Sequence, residues 1–401
     1  MKKNALIVCE YNPFHNGHFY HIAQTRAAGA QTIVCLMSGN FVQRGEIAFC
    51  EKALRAEMAI RCGADLVLEL PLPFVLSGAR YFALGAAKIA KALQIEATLS
   101  FGALANLEQL TDLRREIDDP SVAAAVSALC EDLHYSYPRA LQTVVQKKRG
   151  ENYGDLLRDP NSLLALEYLR AFRAFAPDYD FFALEREARY AHDADIADGS
   201  FASAMFIRGA FDSKNISEAI AAVTSYVPSQ VADILYSAAE KGALPLRRDL
   251  FSAVAMTRLL SLNEAQLRNV NGIRQGLENR IVSALKTEND LNALYDAVKS
   301  KRYTHAGIRQ SLVSAVLGIT RADLQEELPY LRVLGMNANG RAFLREQKSV
   351  ASCPFVMNLS EAPVCRLRTL DEIAGRITAM CKPERRPNET EYSVKPFVLN
   401  E

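Results

Sequence analysis

The sequence predicts an α/β protein, a parallel sheet wound by helices and followed by a mainly α-helical domain. Three observations carry this. Short apolar runs recur at 5–9, 32–37, 65–70, 97–101 and 181–184, most closed by glycine, proline or a polar loop. Helical stretches lie between the first four runs, and the order β-α-β-α-β-α-β with short connections is that of right-handed crossovers in one sheet. Beyond about Asp212 the texture changes to helix after helix, broken at Pro228 and Pro245.

The first run, Ala5 to Cys9 with Val8 near its end, leads into Glu10-Tyr11-Asn12-Pro13-Phe14-His15-Asn16-Gly17-His18-Phe19-Tyr20-His21. Pro13 stops the strand, and after Gly17 the pattern is helical. The stretch is therefore a strand-to-helix turn, the place where open α/β sheets hold ligands. Three of the six histidines fall in it, at 15, 18 and 21. Gly17 lets a flat ring or a phosphate approach the backbone. The following helix aims free N–H groups and a partial positive charge at an anion. His15 and His18 beside it can donate to phosphate oxygens as charge builds there. A triphosphate cradle for attack at the α-phosphate, with pyrophosphate leaving, is the reading these residues favour. A zinc site is the other reading. His18 and His21 stand three apart, however, and no cysteine or carboxylate completes an obvious set.

The second run, Thr32 to Met37, ends in the polar loop Ser38 to Gly45. Glu51 to Arg61 is an amphipathic helix. Asp65 to Leu70 is the third strand, closed by Pro71 and Pro73, and Ser77 is placed to cap a helix reaching about Leu93. Ala97 to Phe101 is the fourth strand. Gly102 ends it on the same carboxyl edge as the histidine turn, either as a ligand contact or as a plain turn residue. Residues 106–175 read as mostly helical, with helix starts at Pro120, Pro138 and Pro160. Lys147, Lys148 and Arg149 form a basic run there, a solvated helix face or a phosphate contact. Asn161 or Ser162 is placed as a cap. Phe181 to Leu184 is the fifth strand, followed by Arg186 and Arg189, side chains suited to bidentate pairing with phosphate or carboxylate. His192 to Asp195 reads as a polar loop, and Phe201 to Arg208 opens a helix.

Composition bounds the partners. Lys and Arg number 47 against 46 Asp and Glu, so a nucleic acid must be met by local patches rather than by a global field. Basic spots also occur at Arg247-Arg248, from Lys299 through Lys301 to Arg302, and from Arg341 to Lys348. The eight cysteines are scattered without a C-x-x-C pair, which fits a reducing cytoplasm. A signal peptide and a membrane span are not expected. No protein partner is implied. The stretch after Pro383 reads as a loose tail.

Cys9 to His18 resembles the opening of the bacterial tRNA(Met) cytidine acetate ligase family, part of the HxGH nucleotidyltransferase superfamily. Met37 to Gly45, Gly276 to Arg280 and Tyr330 to Asn337 also resemble signatures of that family, so the likeness runs from Val8 to about Leu344. The resemblance implies a Rossmann-like parallel-sheet nucleotidyltransferase domain over 1–212, with a helical insertion. A helical domain with a tRNA-binding role would span 213–382, and the tail 383–401. It implies activation of acetate by ATP as acetyl-adenylate, with magnesium. The acetyl group would then pass to N4 of the wobble cytidine of elongator tRNA(Met), giving N4-acetylcytidine. The implied ATP contacts are Val8, Glu10, Tyr11, Asn12, Pro13, Phe14, His15, Asn16, Gly17, His18, His21, Gly102, Asn161, Arg186, Ser203 and Arg208. Of these, His15 and His18 would be catalytic, and Arg208 would pair with pyrophosphate. Met205 stands where the family's second phosphate motif has a threonine. RNA contacts are expected from Lys147, Lys148, Arg149, Lys299, Lys301 and Arg302. A small-molecule adenylyltransferase of the coenzyme-biosynthesis type and a non-catalytic RNA-binding protein are the alternative readings. The long helical domain stands against the first, and intact His15, Gly17, His18 and Arg208 against the second.

Overall fold

The computed structural model describes all residues except 134, 186–196, 199–200, 214, 275, 301–302, 386–388 and 401. Its strands are β1 (Asn4–Cys9), β2 (Thr32–Ser38), β3 (Phe41–Val42), β4 (Glu46–Ile47), β5 (Leu66–Leu70), β6 (Ala97–Ala103), β7 (Asp180–Glu185), β8 (Ala197–Asp198), β9 (Phe201–Ala202), β10 (Leu331–Met336), β11 (Phe355–Val356) and β12 (Phe397–Val398). The main sheet runs β11-β10-β5-β2-β1-β6-β7, and β12 also pairs with β10. The five apolar runs found in the sequence are β1, β2, β5, β6 and β7, and they pair in parallel. The predicted α/β class with a helical region behind it is what the chain adopts.

The chain winds outward from β1 through α1 (Asn16–Ala27), β2, α2 (Lys52–Arg61) and β5, then returns to lay β6 on the other side of β1. The strand order reverses between β1 and β6. At such a switch point the carboxyl ends of the two central strands splay apart and leave a crevice. The reason these runs bury themselves is visible in β2, where all seven residues are covered on both faces. Helices α3 (Leu72–Val75) and α4 (Ala79–Leu93) follow β5. Helices α5 (Leu107–Ile117), α6 (Pro120–Asp132), α7 (Tyr137–Arg149), α8 (Glu151–Leu156) and α9 (Pro160–Phe175) lie between β6 and β7. α4 and α9 pack one core against the sheet through Phe82, Ala86, Leu169 and Phe172. The other core joins Ile7, Cys35 and Met58 to the helices that follow α10 (Ala204–Ser213).

Several local expectations are corrected. Ser77 does not cap α4: its hydroxyl donates to the Pro73 carbonyl at 2.8 Å, and Gly78 takes the cap position. Gly102 lies inside β6, opposite Leu184, because the strand runs on to Ala103. Asp159, rather than Asn161 or Ser162, caps α9, its carboxylate accepting the Ser162 N–H at 2.7 Å.

The larger corrections concern the far end of the chain. β10 falls in a region read as helical, yet it extends the sheet antiparallel to β5. The stretch after Pro383 is not a loose tail. Glu391 is 1% exposed, Phe397 and Val398 pair with β10, and the Leu399 N–H donates to the Met336 carbonyl at 3.0 Å. Glu391 is buried because two cations need it. Lys52 contacts both its carboxylate and that of Glu69, and Arg332 stands 3.9 Å away. Tyr330 donates to Asp371 at 2.6 Å in the same cluster. No helix among the described residues is long and apolar enough to cross a membrane.

Candidate active site

The turn after β1 is shaped by its own side chains. Tyr11 is 2% exposed and adopts a positive φ of 48°, which redirects the chain at the strand's end. Its ring packs 4.7 Å from Phe14 and 4.8 Å from His18. Asn12 fastens the turn, accepting the Phe49 N–H through Oδ1 at 2.6 Å. α1 then starts with His15 as its N-cap. The His15 Nδ1 accepts the Gly17 N–H at 3.1 Å, and the His18 Nδ1 accepts the His15 N–H at 3.2 Å. The two rings stack with centroids 3.6 Å apart.

These bonds decide the tautomers. A neutral imidazole whose Nδ1 accepts carries its proton on Nε2. His15 and His18 therefore both present an Nε2–H donor at the amino end of α1. Gly17 suits this arrangement, since a Cβ there would meet the His15 Cε1 at 2.9 Å and the ring would have to shift. The close neighbour that a side chain at 17 would meet is thus the His15 ring itself.

His21 takes a different place. Its Nε2 bonds Ser100 Oγ of β6 at 2.8 Å, and Thr25 closes the triangle at 2.7 Å, so it fastens α1 to the sheet beneath. Asn16 donates to the Ser225 carbonyl at 3.1 Å. Across the crevice, the Leu104 N–H just past β6 donates to Ser162 Oγ at 3.3 Å. That bond draws the first turn of α9, with Asn161, to the end of β6 near Gly102. Asn161 itself reaches the Asp159 carboxylate at 3.4 Å.

The second motif closes on the first. Arg208 of α10 is 9% exposed and donates to the Asn12 carbonyl at 2.7 Å. Its Nε has no hydrogen-bond partner among the described residues. Burial draws the guanidinium below its ordinary range, while Glu46 and Glu10 oppose this. A buried cation with an unspent donor beside two imidazole donors suits an anion. Ser203 caps α10, its hydroxyl accepting the Phe206 N–H at 3.0 Å, while Met205 is 39% exposed. Arg186, like Arg189 and the loop 192–195, lies outside the described residues.

Sequence reasoning missed Arg55. It sits wholly buried in α2 and donates to the carbonyls of Glu10, Ser38, Gly39 and Cys50. One guanidinium thereby binds the ends of β1 and β2 together. An arginine among the apolar positions of the amphipathic helix was the available signal. Gln43, in the predicted polar loop, also turns inward, its N–H donating to Glu10 Oε1 at 2.6 Å. Among the described residues no group of three or more His, Cys, Asp or Glu could hold a metal ion.

A switch-point crevice with paired imidazole donors at a helix start and a buried arginine bonded to the same turn is an arrangement suited to nucleotidyl transfer. Residues 1–393 match the family model described as HIGH Nucleotidyl Transferase. A relative in Acetivibrio thermocellus, named tRNA(Met) cytidine acetate ligase, is 33% identical over 95% of this chain and 95% of its own length. One of the same name in Syntrophotalea carbinolica is 34% identical over 88% of this chain and 84% of its own. A crystal structure of Thermotoga maritima TmcAL bound with alpha-thio ATP superposes with a TM-score of 0.88, at 26% identity and full coverage of both chains. The chain belongs to the tRNA(Met) cytidine acetate ligase family of HIGH nucleotidyl transferases.

Proposed function

We propose that this protein is an ATP-dependent ligase that activates acetate as acetyl-adenylate and transfers the acetyl group to N4 of the wobble cytidine of elongator tRNA(Met). The observation that carries the proposal is the pair of locked Nε2–H donors of His15 and His18 at the start of α1, with Arg208 bonded to Asn12 of the same turn. Acetate attacks the α-phosphate, and the imidazoles stabilise the charge that develops on its oxygens. Arg208 pairs with the departing pyrophosphate. Gly102, Asn161 and Ser203 complete the nucleotide contacts in this reading, with His21 holding α1 in place. Magnesium is the expected partner of the triphosphate in this reading.

The tRNA reading draws on the names of the relatives. Its phosphate contacts are assigned to Lys147, Lys148 and Arg149 in the exposed last turn of α7 and to Lys299 beside the helical region; Lys301 and Arg302 lie outside the described residues. The helical region 213–382 is the proposed tRNA platform, and the reaction belongs in the cytoplasm. Nucleoside mass spectrometry of tRNA from cells lacking the gene tests the proposal: N4-acetylcytidine should vanish. Its persistence would leave the small-molecule adenylyltransferase reading. Labelled acetate with ATP should label tRNA, and labelled acetyl-CoA without ATP should not.

A further inference from the structure

Glu10 is a residue of the turn that anion binding does not account for. It follows β1 directly, on the carboxyl edge, and keeps part of its surface open. Its Oε1 is fixed by the Gln43 N–H, and its carbonyl oxygen is held by Arg55 at 2.7 Å. Its Oε2 receives no hydrogen bond from the described residues. Among the described residues, the charged and titratable groups acting on it include Arg55 of α2, Arg208 of α10, Arg44 of the β3–β4 turn and the Tyr168 hydroxyl of α9. No salt bridge among the described residues ties the carboxylate down. Arg55 is spent on four carbonyls, and Nη1 of Arg208 on Asn12. A rigid carboxylate without an ion pair repels a polyphosphate. It suits a ligand that presents N–H donors, and a cytosine presents two on N4.

Resting on the ligase reading above, we propose that Glu10 receives the N4 amino group of the target cytosine and takes its proton during acyl transfer. The N4 lone pair is delocalised into the ring, so the amine is a poor nucleophile until a base removes a proton as the new bond forms. In the step, N4 bonds the acetyl carbonyl carbon. The bond from that carbon to the phosphate oxygen breaks, and AMP leaves with its electron pair. One N4 proton passes to Oε2 of Glu10, and the products are N4-acetylcytidine, AMP and a proton released later to water. Burial raises the Glu10 carboxyl above its ordinary range, which strengthens it as a base.

The test uses the full-length enzyme, preformed acetyl-adenylate and tRNA(Met) in single turnover at saturating enzyme, across a pH series. Wild type should transfer faster as pH rises through the ionisation of Glu10. Glu10→Gln should transfer roughly 10²–10⁴-fold more slowly, with that pH limb gone, and Glu10→Asp should recover part of the rate. Thermal unfolding of both variants excludes a folding defect. Wild-type transfer rates in Glu10→Gln would overturn the proposal, as would a variant impaired only in acetate-dependent ATP–pyrophosphate exchange, which would assign Glu10 to ATP. Exchange and transfer absent from wild type would instead overturn the ligase reading, and the role of Glu10 with it.

Discussion

Arg208 donates to the carbonyl oxygen of Asn12 at 2.7 Å, although 196 positions separate them. The bond seats α10 on the turn after β1, so the proposed site is complete only when the two are joined.

The histidines can be separated from the fold. His15→Ala removes both a donor and an N-cap, and the cap alone is worth roughly 1 kcal/mol. His15→Asn restores a good cap but withdraws the ring. Acetate-dependent ATP–pyrophosphate exchange should fall ~10²–10³-fold in His15→Asn and in His18→Ala. The thermal midpoint of His15→Asn should stay close to wild type. Near-normal exchange in both variants would reduce the motif to a structural role.

Gly17→Ala should act through the same ring. Its methyl would press on His15 Cε1 at 2.9 Å, turning the imidazole away without disturbing the core. The expected result is a folded protein with exchange lowered by at least about tenfold, a change of roughly 1.4 kcal/mol in the barrier. Unchanged exchange would mean that the ring has room to give way.

The basic end of α7 should register in salt dependence. Replacing Lys147, Lys148 and Arg149 with alanine should weaken tRNA binding, each lost phosphate contact flattening the log–log salt slope by about 0.7–0.9. Lys148 and Arg149 also face Glu116, at 3.0 and 3.9 Å, so part of their charge is already balanced. Filter binding across a salt series reads the slope. An unchanged slope clears the cluster of an RNA role.

The cluster behind the turn should give stability a pH dependence. Asp371 is pushed up to about 8, first by burial and next by the charge of Glu69. Kept protonated, it leaves Lys52 and Arg332 balanced against Glu69 and Glu391. An acid whose folded pKa exceeds its unfolded value, roughly 3.9, stabilises fully below that value and loses the contribution as pH rises through the folded one. Thermal midpoints should therefore fall between about pH 4 and pH 8. In Asp371→Asn, which stays neutral and still accepts from Tyr330, that fall should be smaller. Identical slopes would mean that Asp371 is ionised in the fold.

Deleting residues 384–401 should be costly. It strips Glu391 from Lys52 and Arg332 and removes the strand that pairs with β10. Breaking a buried ion pair typically costs ~3–5 kcal/mol. Chemical denaturation of the truncated chain measures the loss, and full stability would show the segment to be dispensable.

What the sequence disclosed and what it withheld follow from range. β1, β2 and β5 were legible because burial on both faces writes a continuous apolar run. The histidine turn was legible because Pro13, Gly17 and the helical pattern are local signals. β10 was not, since Leu331-Arg332-Val333-Leu334-Gly335-Met336 is apolar enough for either a strand or a helix, and its partner β5 lies far away in sequence. The roles of Arg55, Lys52 and Glu391 were not legible because their partners are carbonyls and carboxylates brought in by the fold. Gln43 gave no signal at all: its role is a backbone N–H, which every residue but proline possesses.

Asn40 donates to Glu391 at 3.2 Å across 351 positions, and this sets an order on the birth of the molecule. Closing a loop of that length costs about 5 kcal/mol of chain entropy, so the contact forms only when most of the rest is in place. Glu69, Lys52 and Asn40 emerge early from the ribosome and wait for a partner made hundreds of residues later. Until it arrives, the loop beside the nucleotide turn lacks its buried anchor. A prematurely terminated chain would therefore carry every histidine of the motif while lacking the brace behind them.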